Sequence, residues 1–436
     1  MGSEGARESP AELSAGEKVS GKLTGPTVVP AGPLAGVTVI DVSTMGPGPF
    51  ASMVLADFGA EVIEIRRPVP NEVDAADQFV RGKQLLTIDL RAPGGAELIA
   101  RLADTADVFL EGYRPGTMER RGLGPGVLLE RNPRLVYTRL TGWGQDGPYA
   151  PHAGHDINYV AIGGPLGAVG FDAPVPALNL LGDFASGSFP AVLGTVLALL
   201  ARERTGRGQV VDAGMTDGAA YLMFAQYCEL ALGQWQGRGT GILSGAAPFY
   251  GVYQCADQRW VSVGSIEGKF YAQLLDGLGL GRELLGRQQD RTQWPADRAA
   301  IAAIFATRPR AHWAEVFAGT DACVYPVLEL SETPADAHVA ARGSVWLDEA
   351  GRPQVRPAPR LSETPGTAGP TRTADRAGQR RLLMARGISH EDITGYQKSG
   401  ALHLAPDTGA PDTGAPDTEA PGTWAPGTAP DEADRG

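Results

Sequence analysis

From residue 33 onward, apolar positions fall into short runs and helical stripes. Val37–Thr44 (VTVIDVST) is apolar and β-branched without alternation, which predicts a strand buried on both faces. Phe50–Gly59 predicts a helix closed by glycine. Strands are then predicted at Glu61–Arg66, Leu85–Leu90, Asp107–Glu111 and Leu135–Leu140, with a helix over Gly95–Ala106. This alternation predicts a parallel sheet with helices on both faces, an α/β fold of the doubly wound kind. Phe189, Val192, Leu193, Val196, Leu197 and Leu200 recur at helical spacing and predict a helix over Phe184–Arg204. The longest apolar run, Phe189–Ala201, is shorter than the roughly 20 residues of a membrane span, so no membrane partner is expected.

Near residue 242 the pattern changes. Residues 249–255 and 260–264 predict two antiparallel strands joined by a turn at Ala256–Arg259, followed by helices at Lys269–Leu278 and His312–Ala318. The expected layout is a large α/β domain over 33–225, a linker helix over 226–241 and a small α+β domain over 242–335. A return segment to the large domain is expected over 336–404, read from about residue 345 as loop, Pro-rich stretches and one late helix, Glu391–Lys398. Residues 1–32 lack periodicity, and 405–436 repeat a five-residue unit (APDTG, APDTG, APDTE, APGTW). Neither buries enough apolar surface to offset chain entropy, so both ends are expected to be disordered.

Composition narrows the function. The formal net charge is −12, which argues against nucleic acid as a partner. Residues 405–436 carry seven acids (Asp407, Asp412, Asp417, Glu419, Asp431, Glu432, Asp434) against Arg435, so half of the −12 resides there. The three cysteines, Cys228, Cys255 and Cys323, fit neither a disulfide framework nor zinc spacings, so no metal site and a cytoplasmic location are expected.

Gly46-Pro-Gly-Pro-Phe-Ala51 follows the first strand and matches a dinucleotide fingerprint in outline. Pro47 and Pro49 have no N–H to offer a pyrophosphate, which argues against a nicotinamide site. Arg67, Lys83, Arg91, Arg114 and Arg120 recur near strand ends, where a doubly wound sheet gathers its ligand; a phosphate-bearing ligand and a set of surface cations both fit them. His155 and Asp156 stand where a glycine-bounded loop enters a helix, Asp183 precedes the long apolar helix, and Glu267 follows a strand of the second domain. Asp156 and Asp183 each fit a helix-capping role as well as a catalytic one, and Glu267 also fits a solvated loop. No G-x-S-x-G, H-E-x-x-H or Walker loop is present. The remaining types suit proton transfer or a carboxylate nucleophile.

Taken together, GPGPFASMVLADFGAEVIEIRRP, EGYRPGTMERRGLGP, TGWGQDGPYA, GHDINYVA, LNLLGDFASGS, GRGQVVDAGMTDG and VSVGSIE resemble the family III CoA-transferases, and within them the α-methylacyl-CoA racemase branch, over about residues 33–403. The resemblance implies a nucleotide-binding, Rossmann-like large domain, a smaller second domain and an interlocked homodimer. It implies that a 2-methylacyl-CoA thioester loses its α-proton on one face and regains it on the other through an enolate. His155 and Asp183 would be the opposing acid/base groups, Glu267 would orient the histidine from its own or the other chain, and Asp156 would support the helix start. CoA would lie along Arg67, Lys83, Arg91, Gly112, Tyr113, Arg114 and Arg120, as part of the substrate, with no separate cofactor. Ile266-Glu-Gly-Lys-Phe270 departs from the racemases' IEPQF. The same resemblance allows a CoA-transferase with Asp183 as nucleophile; a non-catalytic acyl-CoA-binding protein is the remaining alternative.

Overall fold

The computed structural model describes residues 32–68, 78–370 and 375–406. The two ends expected to be disordered lie outside the described residues, apart from Gly32, Ala405 and Pro406. The chain opens with β1 (Thr38–Asp41), α1 (Pro47–Asp57), β2 (Glu61–Arg66), β3 (Lys83–Ile88), α2 (Gly95–Ala103), β4 (Val108–Glu111), α3 (Pro125–Arg131) and β5 (Val136–Thr141). After α4 (Asp156–Gly163) and α5 (Pro165–Ala168) comes a wide i→i+5 helical stretch, Leu180–Ser188, that runs into α6 (Phe189–Thr205). β6 (Val210–Gly214), α7 (Met215–Leu222) and α8 (Phe224–Ala231) follow.

Strands β1 to β6 are mutually parallel in the order β3-β2-β1-β4-β5-β6. The order reverses between β1 and β4, which opens a crevice at their carboxyl ends. One face of the sheet is covered by α2 through Leu98, Ile99 and Leu102, together with Leu382, Leu383 and Ile393 from the end of the chain. On the other, Ala51 and Leu55 of α1 and Ala191, Ala198 and Leu199 of α6 complete the core. The result is a mixed α/β architecture around a large parallel sheet.

A separate core, with Tyr253, Val261, Tyr271, Leu274, Ile301, Phe305 and Trp313, lies under a three-stranded antiparallel sheet. It is built from β7 (Tyr250–Gln254), β8 (Trp260–Gly264), α9 (Gly268–Leu278), α10 (Trp294–Phe305), α11 (Arg310–Val316) and β9 (Val324–Pro326). The chain then forms α12 (Ala337–Arg342), the hairpin β10 (Val345–Leu347) and β11 (Pro353–Val355), α13 (Arg376–Ala385), α14 (His390–Lys398) and β12 (Leu402–His403), which pairs antiparallel with β3.

Several elements differ from the sequence expectation. The return segment holds α12, the β10–β11 hairpin, α13 and β12 besides α14; α13 buries only Gln379, Leu382 and Leu383 among its arginines, which hides its apolar stripe. The expected linker helix is confined to α8, Phe224–Ala231. The helix Leu180–Thr205 spans 26 residues and, by length and composition, is apolar enough to cross a membrane, where the sequence reading took the run as too short. Its packing is that of a sheet-covering helix. Thr195 Oγ1 meets Thr138 Oγ1 of β5 at 2.7 Å, and the Arg202 guanidinium pairs with Asp107 at 3.0 Å.

Lys83 is corrected by the fold. It opens β3 rather than closing it, and its side chain is fully buried. Nζ donates to Glu64 Oε2 and to the Pro49 carbonyl, both at 2.9 Å, with Asp41 Oδ2 at 3.7 Å. An ammonium held this way is structural and has no free face for a CoA phosphate. Removing one member of a buried ion pair costs roughly 3–5 kcal/mol because the other charge is left uncompensated. Lys83→Met is therefore expected to lower the unfolding free energy by about that amount, read as the urea midpoint. A midpoint equal to that of the native chain would contradict the assignment.

Candidate active site

The site is assembled around the loop that leaves β1. Asp41 at the strand's end is fully buried and accepts the Ser43 N–H at 2.8 Å, the Ser43 hydroxyl at 2.5 Å and the Ser52 hydroxyl. Burial drives its carboxyl above the usual range, and the Lys83 ammonium opposes that rise. Anchored at Asp41 and by Lys83 on the Pro49 carbonyl, the loop brings Gly46 against Asp183. Gly46 has φ +59°, and a Cβ there would sit 3.4 Å from Asp183 Oδ2. The Ser188 hydroxyl donates to the Pro47 carbonyl at 2.7 Å and to the Asp183 carbonyl at 3.0 Å, tying the same loop to the wide helical stretch. Pro47 and Pro49 occupy the first turn of α1, so the helix start offers few N–H groups to an anion.

Asp183 lies inside that wide stretch, not at a helix cap. An i→i+5 helix inserts an extra residue per turn and recurs at functional sites. The Asp183 N–H donates to Asp156 Oδ2 at 2.8 Å, and Asn179 Nδ2 donates to Asp183 Oδ2 at 3.4 Å. Gly182 makes the first contact feasible, because a Cβ there would fall 2.4 Å from Asp156 Oδ2. Burial raises the Asp183 carboxyl above its ordinary value, the Asn179 hydrogen bond opposes this, the nearby Asp156 charge adds to it and His155 lowers it.

His155 caps α4, with its backbone N–H donating to Asn158 Oδ1 at 3.1 Å, and its side chain is exposed. His155, Asp156 and Asp183 line one cleft of about 470 Å³ with Gly46, Gly112, Tyr113, Arg114, Trp143 and Tyr159. The cleft opens at the ends of β1, β4 and β5. Its β4 side is set by Glu111, which accepts the Tyr113 N–H at 2.7 Å and Arg139 Nε at 2.9 Å. Tyr159 and Trp143 were not singled out from the sequence. Tyr159 falls one turn beyond His155 on α4, and its ring meets that of Trp143 edge-on at 4.9 Å.

The remaining candidates lie elsewhere. Arg67 stacks on Tyr113 at 5.7 Å and donates to its hydroxyl at 3.4 Å, at the cleft's rim. Arg91 and Arg120 are exposed outside the cleft lining, Arg120 bonded to Thr117 Oγ1 at 3.2 Å. Glu267 is the exposed N-cap of α9 and is not brought to His155 of its own chain. Its neighbour Ile266 lines a larger cavity, about 690 Å³, that reaches Leu181 and Trp235 but contains neither His155 nor Asp183.

The sequence pattern of CoA-transferase family III matches residues 34–379. The chain belongs to CoA-transferase family III. The α-methylacyl-CoA racemase of Mus musculus is 44% identical over 366 residues, covering 83% of this chain and 95% of that protein. That of Homo sapiens is 44% identical over 335 residues, 76% of this chain and 87% of its own length. Among solved structures, a CAIB/BAIF family protein from Brucella suis superposes with TM-score 0.68 at 26% identity, over 81% of this chain and all of that one. In this family III chain the pairing of an exposed histidine with a desolvated aspartate across one cleft is therefore carried by a fold shared with known relatives.

The raised carboxyl has a thermodynamic consequence. The folded state favours protonated Asp183 more than the unfolded chain does, so its contribution to stability is full below the ordinary value of 3.8 and is lost as pH rises through the raised value. Asp183→Asn, uncharged throughout, is expected to melt above the native chain at pH 8 and near it at pH 4. A variant that melts below the native chain at pH 8 would show that the carboxylate is not desolvated.

Proposed function

We propose that the protein is a racemase or epimerase of 2-methylacyl-CoA thioesters. The observation that carries this reading is the cleft that places His155 and Asp183 together, beside the relatives at 44% identity that bear the racemase name. One group removes the α-proton from one face of the thioester as the other delivers a proton to the opposite face, and in the reverse direction they exchange roles. Such exchange requires both groups to titrate near the working pH. For a carboxylate that calls for desolvation, the direction in which burial moves Asp183. At the start of α4 the Asn158 and Tyr159 N–H groups are taken by the His155 carbonyl, which leaves the Asp156 and Ile157 N–H groups for the developing enolate oxygen; Asp156 fixes the Asp183 backbone. CoA serves as a handle along Tyr113, Arg114 and Arg67, with Arg91 and Arg120 further out, and no separate cofactor enters.

The same reading includes an interlocked homodimer with a Rossmann-like CoA domain. Phe189, Leu193, Val196, Leu197 and Leu200 form an exposed apolar stripe on α6, and Tyr221, Phe224, Tyr227 and Leu230 extend it over α7 and α8. A patch of that extent calls for a cover. Glu267, outside the lining of its own chain's cleft, would reach the partner's His155. The proposed location is cytoplasmic.

Proton NMR of a single-enantiomer 2-methylacyl-CoA in D₂O tests the proposal. Loss of the α-proton signal and growth of the other epimer, with no acceptor acid present, is the expected result. No exchange, followed by thioester transfer once a free carboxylic acid is added, would overturn it and make Asp183 a nucleophile. His155→Ala and Asp183→Ala are each expected to slow exchange by about 10²–10⁴-fold while CoA-ester binding survives. Arg114→Ala is expected to raise KM with little change in kcat.

A further inference from the structure

Three arginines near the hairpin β10–β11 stand without acidic partners. Arg342 ends α12, Arg356 follows β11, and Arg360 lies four residues on; none forms an ion pair with an acid among the described residues. Arg356 Nε donates to the Gly343 carbonyl at 3.0 Å and Arg360 donates to the Arg342 carbonyl, so backbone acceptors bring the Arg356 and Arg360 guanidinium groups to the αL turn of Gly343, next to Arg342. Desolvation lowers the pKa of Arg360, and the positive charges of Arg342 and Arg356 beside it lower it further. Like charges held together in this way mark a site for an anion.

The position of the cluster indicates the occupant. Arg81, just ahead of β3, donates to the Val355 carbonyl at 2.7 Å, which places Arg356 at the amino end of β3. β12 runs antiparallel to β3, with Leu402 opposite Ile88 and His403 opposite Thr87. Ala405 continues that direction: its N–H donates to Gln379 Oε1 at 2.7 Å, and Gln379 Nε2 donates to the Leu85 carbonyl at 2.9 Å. The chain thus leaves the described fold heading for the end of β3 where Arg81 holds Val355. The next acids in the sequence are Asp407, Asp412, Asp417 and Glu419. From Ala405 to Asp417 the chain can span at most about 40 Å, and from Leu85 back to Arg81 is only about 13 Å of strand.

We propose that the acidic C-terminal segment of this chain, residues 407–419, docks on the Arg342–Arg356–Arg360 cluster. Each carboxylate–guanidinium contact is weak in water. Tethering compensates, because a short linker holds the segment at an effective concentration on the order of millimolar, so even a site with a Kd near 1 mM is about half filled. The docked segment neutralises a cationic surface of the return segment and leaves the catalytic cleft open. This inference does not depend on the racemase reading.

Arginine footprinting of the full-length protein with phenylglyoxal, read by mass spectrometry, tests it. The native chain is compared with a full-length variant carrying Asp407→Asn, Asp412→Asn, Asp417→Asn and Glu419→Gln. Arg342, Arg356 and Arg360 are expected to react about threefold or more slowly in the native chain at low salt. The difference should vanish near 0.5 M NaCl, where screening shortens to a few ångströms. Arg204, exposed at the far end of α6, is the reference and should react equally in both. Equal rates at the three arginines at low salt would overturn the proposal. Protection that grows with protein concentration would also overturn it, since the segment would then come from a second copy.

Discussion

One buried ammonium organises the catalytic end of this molecule. Lys83 Nζ joins β3 to Glu64 on β2, to Asp41 on β1 and to the first turn of α1 through Pro49. Two carboxylates and one cation in the interior would be costly if any were left alone. Glu64 is therefore also held by Arg66 Nε at 2.8 Å, and Asp41 by two serine hydroxyls and a backbone N–H. With all of these contacts made, the loop after β1 has little freedom. Its fixed course presses Gly46 against Asp183 and leaves the Pro47 carbonyl for Ser188.

The electrostatics of the cleft follow from that placement. Asp183 is pulled two ways: burial and the nearby Asp156 favour its neutral form, while Asn179 and His155 favour the carboxylate. Burial is the largest of these and wins, so the carboxyl lies above the ordinary carboxylate range. Asp156 fills a different role. Its carboxylate accepts the Asp183 N–H and thereby couples the start of α4, which carries His155, to the wide helix that carries Asp183. The two candidate acid/base groups are positioned by one shared contact, made possible by the missing side chain at Gly182.

The parallel sheet was legible because its strands are buried on both faces and read as uninterrupted apolar runs; β2 was expected and is found at Glu61–Arg66. β6 was passed over because it lies at a sheet edge and exposes Val210, and α13 because arginines crowd its surface. The candidate residues of the cleft were legible from motifs, with His155, Asp156 and Asp183 brought together. Lys83 was misassigned because proximity to a strand end in sequence does not reveal which end of the sheet a side chain faces, nor whether solvent reaches it.

By itself, the sequence determined the alternation of elements, the chemical types available for proton transfer and the family to which the chain belongs. Those are local properties: periodicity, residue type and spacing along one segment. Only the tertiary structure decided that Lys83 is interior, that Gly46 touches Asp183, that Asp183 sits in a widened helix rather than at a cap, and that Glu267 caps α9 outside the lining of its own chain's cleft. Each of these depends on contacts between segments far apart in the chain, whose geometry is set by packing density and by the need to satisfy every buried charge.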